Sequence, residues 1–193
     1  SDLVHFILGS KAETLKRIQP KLTKSRICDQ ITCEWNNWKS PPEGVIKDIQ
    51  SKFENQHLII RSSSSEEDGW EKSQAGVFES VLDVDCNDIK TLSEAIEHVF
   101  SSYGKISSSN HVLIQPFIND VRISGVIFTC DMTTGAPYYI INYDDVSGKT
   151  NTITSGNTNK LRTIILFRNE INNILTIDPR LKKVIDAVQE LEM

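Results

Sequence analysis

A chain of 193 residues can bury a real core, either as one domain or as two small lobes. Its hydrophobic share of 38% and charged share of 24% are those of an ordinary globular protein, and the net charge of −5 argues against nucleic acid as the main partner, since phosphate backbones reward a basic surface. Apolar runs such as "HVLIQPFI" and "TIILF" fall short of the roughly 20 residues that cross a bilayer, and "SDLVHFILGSK" lacks the basic n-region of a signal peptide.

In chain order, "SKAETLKRIQPKL" spaces Ala12, Leu15, Ile18 and Leu22 as an amphipathic helix, with Ser10 as N-cap and Glu13 as its capping-box partner. "RICDQITCEW" reads as a strand, and "PPEGVIKDIQSKF" as a helix entered through Pro41 and Pro42. "HLIIRS" is a short apolar strand that runs into a serine-rich, acidic stretch. "GVFESVLDVD" alternates, with Val77, Glu79, Val81 and Asp83 on one face and Phe78, Ser80, Leu82 and Val84 on the other. "DIKTLSEAIEHVFSSYG" puts Ile89, Leu92, Ile96, Val99 and Phe100 on one helical face, and Gly104 closes it.

Three strands follow: "HVLIQPFI", "ISGVIFTCD" and "PYYIINYD", the last two joined by a turn at "MTTGA". After a polar segment over 147–159 come the strand "KLRTIILF" and a helix in "DPRLKKVIDAVQELEM", capped by Asp178 with Pro179 at N1. Mixed order with many antiparallel neighbours predicts an α+β class. The final helix reaches Met193 without a closing signal, as expected of a fold cut before its end.

Cys28, Cys33, Cys86 and Cys130 form no CxxC pair and have no histidine at zinc-ligand spacing. Reduced, mostly buried thiols in a cytoplasmic protein are the expectation.

Two stretches suggest a phosphate site. "VSGKT" ends like a P-loop, but Tyr143 stands where the motif requires its first glycine, and the following "NTITSGNTN" is not helix-forming. A lysine in a polar loop is the better reading there. The second stretch starts with Arg61 at the end of a buried strand, where a rigid element can hold a guanidinium fork suited to phosphate oxygens. "QAGVFES" adds a glycine for close backbone approach and the hydroxyl of Ser80, with Glu66, Glu67 and Asp68 between.

Taken in register, "GSKAETL" (9–15), "IIRSSSSEED" (59–68), "QAGVFESVLDV" (74–84), "LIQPFI" (113–118), "SGVIFT" (124–129) and "TSG" (154–156) resemble the nucleotide-binding region of the phosphoenolpyruvate synthase and pyruvate phosphate dikinase family. The resemblance spans residues 9–192. It implies an ATP-grasp-like fold of two small α+β lobes with largely antiparallel sheets and flanking helices. The first lobe, residues 1–112, would carry the phosphate-binding segments. Residues 113–193 would supply the inter-lobe strand, an antiparallel sheet and an incomplete C-terminal part.

On this resemblance Lys11 and Arg61 match the cations that reach the ATP phosphates, and Glu67 and Asp68 the acidic pair beside them. Gly76 and Ser80 match the phosphate-covering loop. Gln115, Phe117 and Ile118 fall on the strand that reads adenine, where Pro116 lacks a donor.

The family's metal-binding acids would follow a helix like "VIDAVQELE", so the ligands for Mg²⁺ and the catalytic residues are expected beyond Met193, and so are the phosphohistidine and pyruvate domains. "NYDDVSGKTNTITSG" departs from the glycine-rich stretch common in relatives. The expected function is the ATP-binding portion of a phosphotransferase acting on pyruvate or another small acceptor, with this chain alone inactive. The alternative is a non-catalytic nucleotide-binding or regulatory module that keeps the fold.

Overall fold

The computed structural model describes residues 10–64, 79–103, 110–150 and 161–192. It is a mixed α+β architecture with antiparallel sheets, divided into two compact units: Ser1–Lys21 with Ile27–Phe117, and Leu22–Arg26 with Ile118–Met193. Among the described residues no helix is long and apolar enough to cross a membrane.

In the first unit, α1 (Lys11–Ile18) opens on a reciprocal capping box between Ser10 and Glu13. The helix expected over 10–22 tightens into a 3₁₀ turn at Gln19–Lys21, because Pro20 has no N–H to continue the α ladder. The strand expected over 26–35 is confined to β1 (Ile31–Glu34), and a short helix, α2 (Trp35–Lys39), takes over at Trp35. α3 (Pro42–Lys52) starts on Pro42, and α4 (Ile89–Ser101) is capped by Asp88, which accepts from the Thr91 N–H at 3.1 Å.

β2 (His57–Ser64), β3 (Ser80–Asp85) and β4 (Asn110–Pro116) join β1 in an antiparallel sheet of order β1-β4-β2-β3. Leu58, Ile60, Val84, Val112 and Ile114 face Ile46, Ile49 and Phe53 at α3 and Leu92, Ile96, Val99 and Phe100 of α4. Ile89, grouped by periodicity with that face, is instead 55% exposed at the first position of its helix.

The strict alternation expected of residues 77–84 also fails. The register shifts opposite Leu58 and Ile60, and Asp83 takes a left-handed φ of 62°. This bulge turns both Val81 and Val84 toward the core, although they lie three apart. Burial pushes the Cys33 thiol up to about 12. All four cysteines are free, with Cys33 and Cys86 buried.

The second unit holds β5 (Ser124–Phe128), β6 (Tyr138–Asp144) and β7 (Arg162–Phe167) in one antiparallel sheet. The β5–β6 turn closes on Asp131, whose carboxylate accepts from the backbone of Thr133 and Thr134. Gly125 sits where an added Cβ would lie 2.7 Å from the Asn142 carbonyl oxygen, so only glycine lets β5 approach β6.

After β7, a 3₁₀ stretch (Arg168–Asn173) and α5 (Ile174–Ile177) occupy a connection in which the sequence predicts no element. Asp178 then accepts from the Arg180 N–H, as expected of a cap, and α6 (Lys182–Leu191) follows a 3₁₀ turn at Pro179–Leu181. Ile141, Tyr143 and Leu166 pack on Leu181 and Ile185. The segment 22–26 is tied to α6 by Glu190, which accepts from Thr23 N–H at 2.7 Å and Lys24 N–H at 3.0 Å.

Candidate functional site

β2 lies between β3 and β4, and its register fixes what surrounds Arg61. Ser80 is directly across on β3 and Leu113 directly across on β4. Side chains opposite one another on antiparallel strands share a face. Arg61 and Ser80 therefore stand together on the face turned away from α3 and α4. Two residues along, Ser63 pairs with His111, and in the other direction Ile59 pairs with Gln115, so all of these belong to that same face.

The start of α1 docks on this face. Ser63 is completely buried, and its hydroxyl oxygen accepts the Ala12 N–H at 3.1 Å across 51 residues of sequence. The Ser63 N–H donates to the Tyr103 hydroxyl at 2.7 Å, which in turn donates to the His111 carbonyl at 2.6 Å. Gln30 donates from Nε2 to the Ala12 carbonyl at 2.9 Å. Lys11, the first residue of α1, is thereby carried to the strand surface that bears Arg61, two positions from the serine that anchors the helix.

Three donors of the helix end are already engaged. Ser10 N–H donates to Glu13, Ala12 N–H to Ser63, and Glu13 N–H to Ser10. The Ser10 N–H holds the Glu13 carboxyl below the ordinary glutamate range. An anion on this face would therefore meet the side-chain cations rather than these three amides, unlike the usual helix N-terminal site. His111 Nδ1 and Gln30 Oε1 are buried without a hydrogen-bond partner among the described residues.

Of the other expected site residues, Gln115 is buried in β4, and Phe117 extends the ladder by donating its N–H to the His57 carbonyl at 2.8 Å. Ile118 is 48% exposed and belongs to the second unit. Glu67, Asp68 and Gly76 lie outside the described residues, as do Glu66, Val77, Phe78, Gly104 and the "TSG" at 154–156.

The rejected P-loop half, Ser147–Thr150, is a turn. Asp144 accepts from Val146 N–H and Ser147 N–H at 2.8 and 2.9 Å, Gly148 has φ 70°, and the Lys149 carbonyl accepts from the Ser124 hydroxyl at 2.7 Å. The segment after it lies outside the described residues.

Sequence reasoning missed Ser63, Tyr103 and His111. A signal existed for the first: a serine one period beyond Arg61 on a buried strand must spend its hydroxyl on a partner. Tyr103 and His111 gave none, because their role is a relay between residues distant in sequence.

In the second unit Asp145 and Asp178 cluster with Arg180 and Arg162. Arg180 bridges to both carboxylates at 2.7 and 2.6 Å, and Arg162 reaches Asp145 at 3.1 Å. The Arg180 guanidinium, with the Tyr143 hydroxyl as a lesser contributor, holds the Asp178 carboxyl at about 2. Among the described residues, no group of three or more His, Cys, Asp or Glu could hold a metal ion.

No family model matches this chain, and no curated protein matches its sequence.

Proposed function

We propose that this chain is the ATP-binding portion of a phosphotransferase similar to phosphoenolpyruvate synthase and pyruvate phosphate dikinase, built as an ATP-grasp and working in the cytoplasm. The observation that carries the reading is the Ala12–Ser63 hydrogen bond, which joins the start of α1, with Lys11, to the strand face bearing Arg61 and Ser80. Two cations from distant parts of the chain on one sheet surface suit a polyphosphate, whose oxygens a guanidinium binds as a fork and an ammonium as a point charge. ATP brings the phosphoryl group. The role of these residues is to hold its phosphates still and to offset their charge, which is most of what phosphoryl transfer asks of a protein.

The described residues fit the anionic part of the ligand. No group of three or more His, Cys, Asp or Glu among them could hold Mg²⁺, so no step is assigned to the metal here.

Calorimetric titration of Mg-ATP into residues 1–193 tests the reading. Weak binding is expected, reduced about tenfold or more by either Arg61→Ala or Lys11→Ala. Equal affinity for the parent and Arg61→Ala removes Arg61 from the site. Release of ADP or AMP by the purified chain contradicts its assignment as a binding portion without turnover.

A further inference from the structure

β3 is an edge of the first unit's sheet: β2 pairs with it on one side, and among the described residues no strand pairs with it on the other. An edge strand has half the ladder of a central one, so it opens more readily than β2 or β4, and side-chain contacts weigh more in holding it. Two such contacts join acids of this segment to histidines. Glu79, just before the strand, meets Nε2 of His98 on α4. Asp83, within the strand, meets Nδ1 of His57 at 2.8 Å, where His57 opens β2.

The two pairs hold the strand from opposite sides of the sheet. His98 belongs to α4, which packs on the core face. His57 shares the other face with Ile59 and Arg61, by the alternation of β2. Asp83 meets it from the bulge, where its backbone takes a φ of 62°. Ser80, of the candidate site, lies in sequence between the two paired acids.

The charges nearest the rings are acidic. His57 has Asp85 directly across the ladder besides Asp83, while β4 brings Pro116 opposite Leu58 and the Phe117 N–H to the His57 carbonyl. Arg61 lies four residues along the same face of β2. His98 has Glu97 beside it and Glu94 one turn back on α4, with Lys90 3.9 Å from Glu94.

An imidazole changes charge between about pH 5 and 8, whereas carboxylates stay ionised above about pH 5. With the rings protonated, both contacts are ion pairs. With the rings neutral, each is an ordinary hydrogen bond at most. We propose that His57 and His98 form a proton-operated latch on β3, closed when the rings are protonated and released as pH rises through the imidazole range. In the unfolded chain neither ring has a carboxylate so placed, so the contribution is full at the acid end of that range and lost at the alkaline end. All four side chains are half-exposed, so each pair should favour the closed strand by only about threefold, and the two together by about tenfold.

The test is amide exchange of the chain between about pH 5.5 and 8, with the β3 amides compared with those of β4 in the same sample. After correction for the intrinsic exchange rate, protection of β3 relative to β4 should fall about tenfold across that range. His57→Gln and His98→Gln each keep a hydrogen-bonding side chain that cannot take up a proton. Each should remove about a threefold part of the fall, and the double variant should show none. High salt should flatten the parent as well, since exposed ion pairs are screened. A flat parent at low salt, a fall that salt leaves unchanged, or the same fall in the double variant would each overturn the proposal. No nucleotide enters the measurement, so its outcome is independent of whether ATP binds.

Discussion

The sheet of the first unit is backed by α2, α3 and α4 and carries Arg61, Ser63, Gln115 and His111 on its other side, where α1 docks through named hydrogen bonds. The sheet of the second unit is backed by α6, and its other side turns out Tyr138, Ile165 and Phe167, of which Ile165 is 61% exposed. Both are antiparallel and each packs a single apolar face on helices. They differ in the balance of the second face, which in the first unit sets Arg61, Ser63, His111 and Gln115 beside Ile59 and Leu113 and in the second sets Tyr138, Ile165 and Phe167 beside the hydrogen-bonded Asn142 and Thr163. A polar face orders its neighbour through directional bonds and so can hold charges at set positions. An apolar face offers area without direction. The candidate site therefore lies in the first unit, and in the second Asp145 and Asp178 are paired with Arg162 and Arg180.

The sharpest way to break this comparison is at Gly125. A Cβ there must push β5 from β6, because the atom it meets is backbone, so Gly125→Ala should destabilise the second unit by about 3 kcal/mol. Thermal unfolding followed by amide exchange should show the loss in β5–β7, with β2 and β4 unchanged. Equal loss in both sheets would mean that the two units do not respond separately.

A smaller effect is expected at Ser63. Its replacement by alanine strands the buried Ala12 N–H, at a cost of about 1 to 2 kcal/mol. It should also loosen α1, so that Mg-ATP affinity falls although no contact with the ligand has been removed. Unchanged affinity would show that Lys11 does not rely on this anchor.

The mildest test is acid. Because Asp178 is held at about 2, below its ordinary unfolded value near 3.9, its contribution is present above that unfolded value and is lost as pH falls through about 2. Urea midpoints of the second unit measured between pH 5 and 2 should therefore decline less in Asp178→Asn than in the parent. Parallel declines would leave the Arg180 pairing without thermodynamic weight.

Much of the fold was legible. The capping box at Ser10 and Glu13, Pro42 at the head of α3, Asp178 as a cap and the turn at "MTTGA" are all local chemistry, written within a few residues. The errors have local causes of a different kind. Pro20 shortened a periodic pattern, and the bulge at Asp83 reset an alternation that looked regular on paper. The helix that starts at Trp35 overrode a strand-like stretch, because burying Trp38 in the core outweighs propensity.

The candidate site was legible only as residue types. Arg61 and Ser80 were singled out as separate motifs, and only strand pairing shows them side by side.

What the sequence determined by itself is the order and kind of the elements, since hydrophobic period and capping chemistry act over a few neighbouring residues. What only the tertiary structure decided is which face each polar residue occupies, and that Ala12 finds Ser63. Both depend on register and on hydrogen bonds that close loops of fifty residues or so, and no local pattern encodes them.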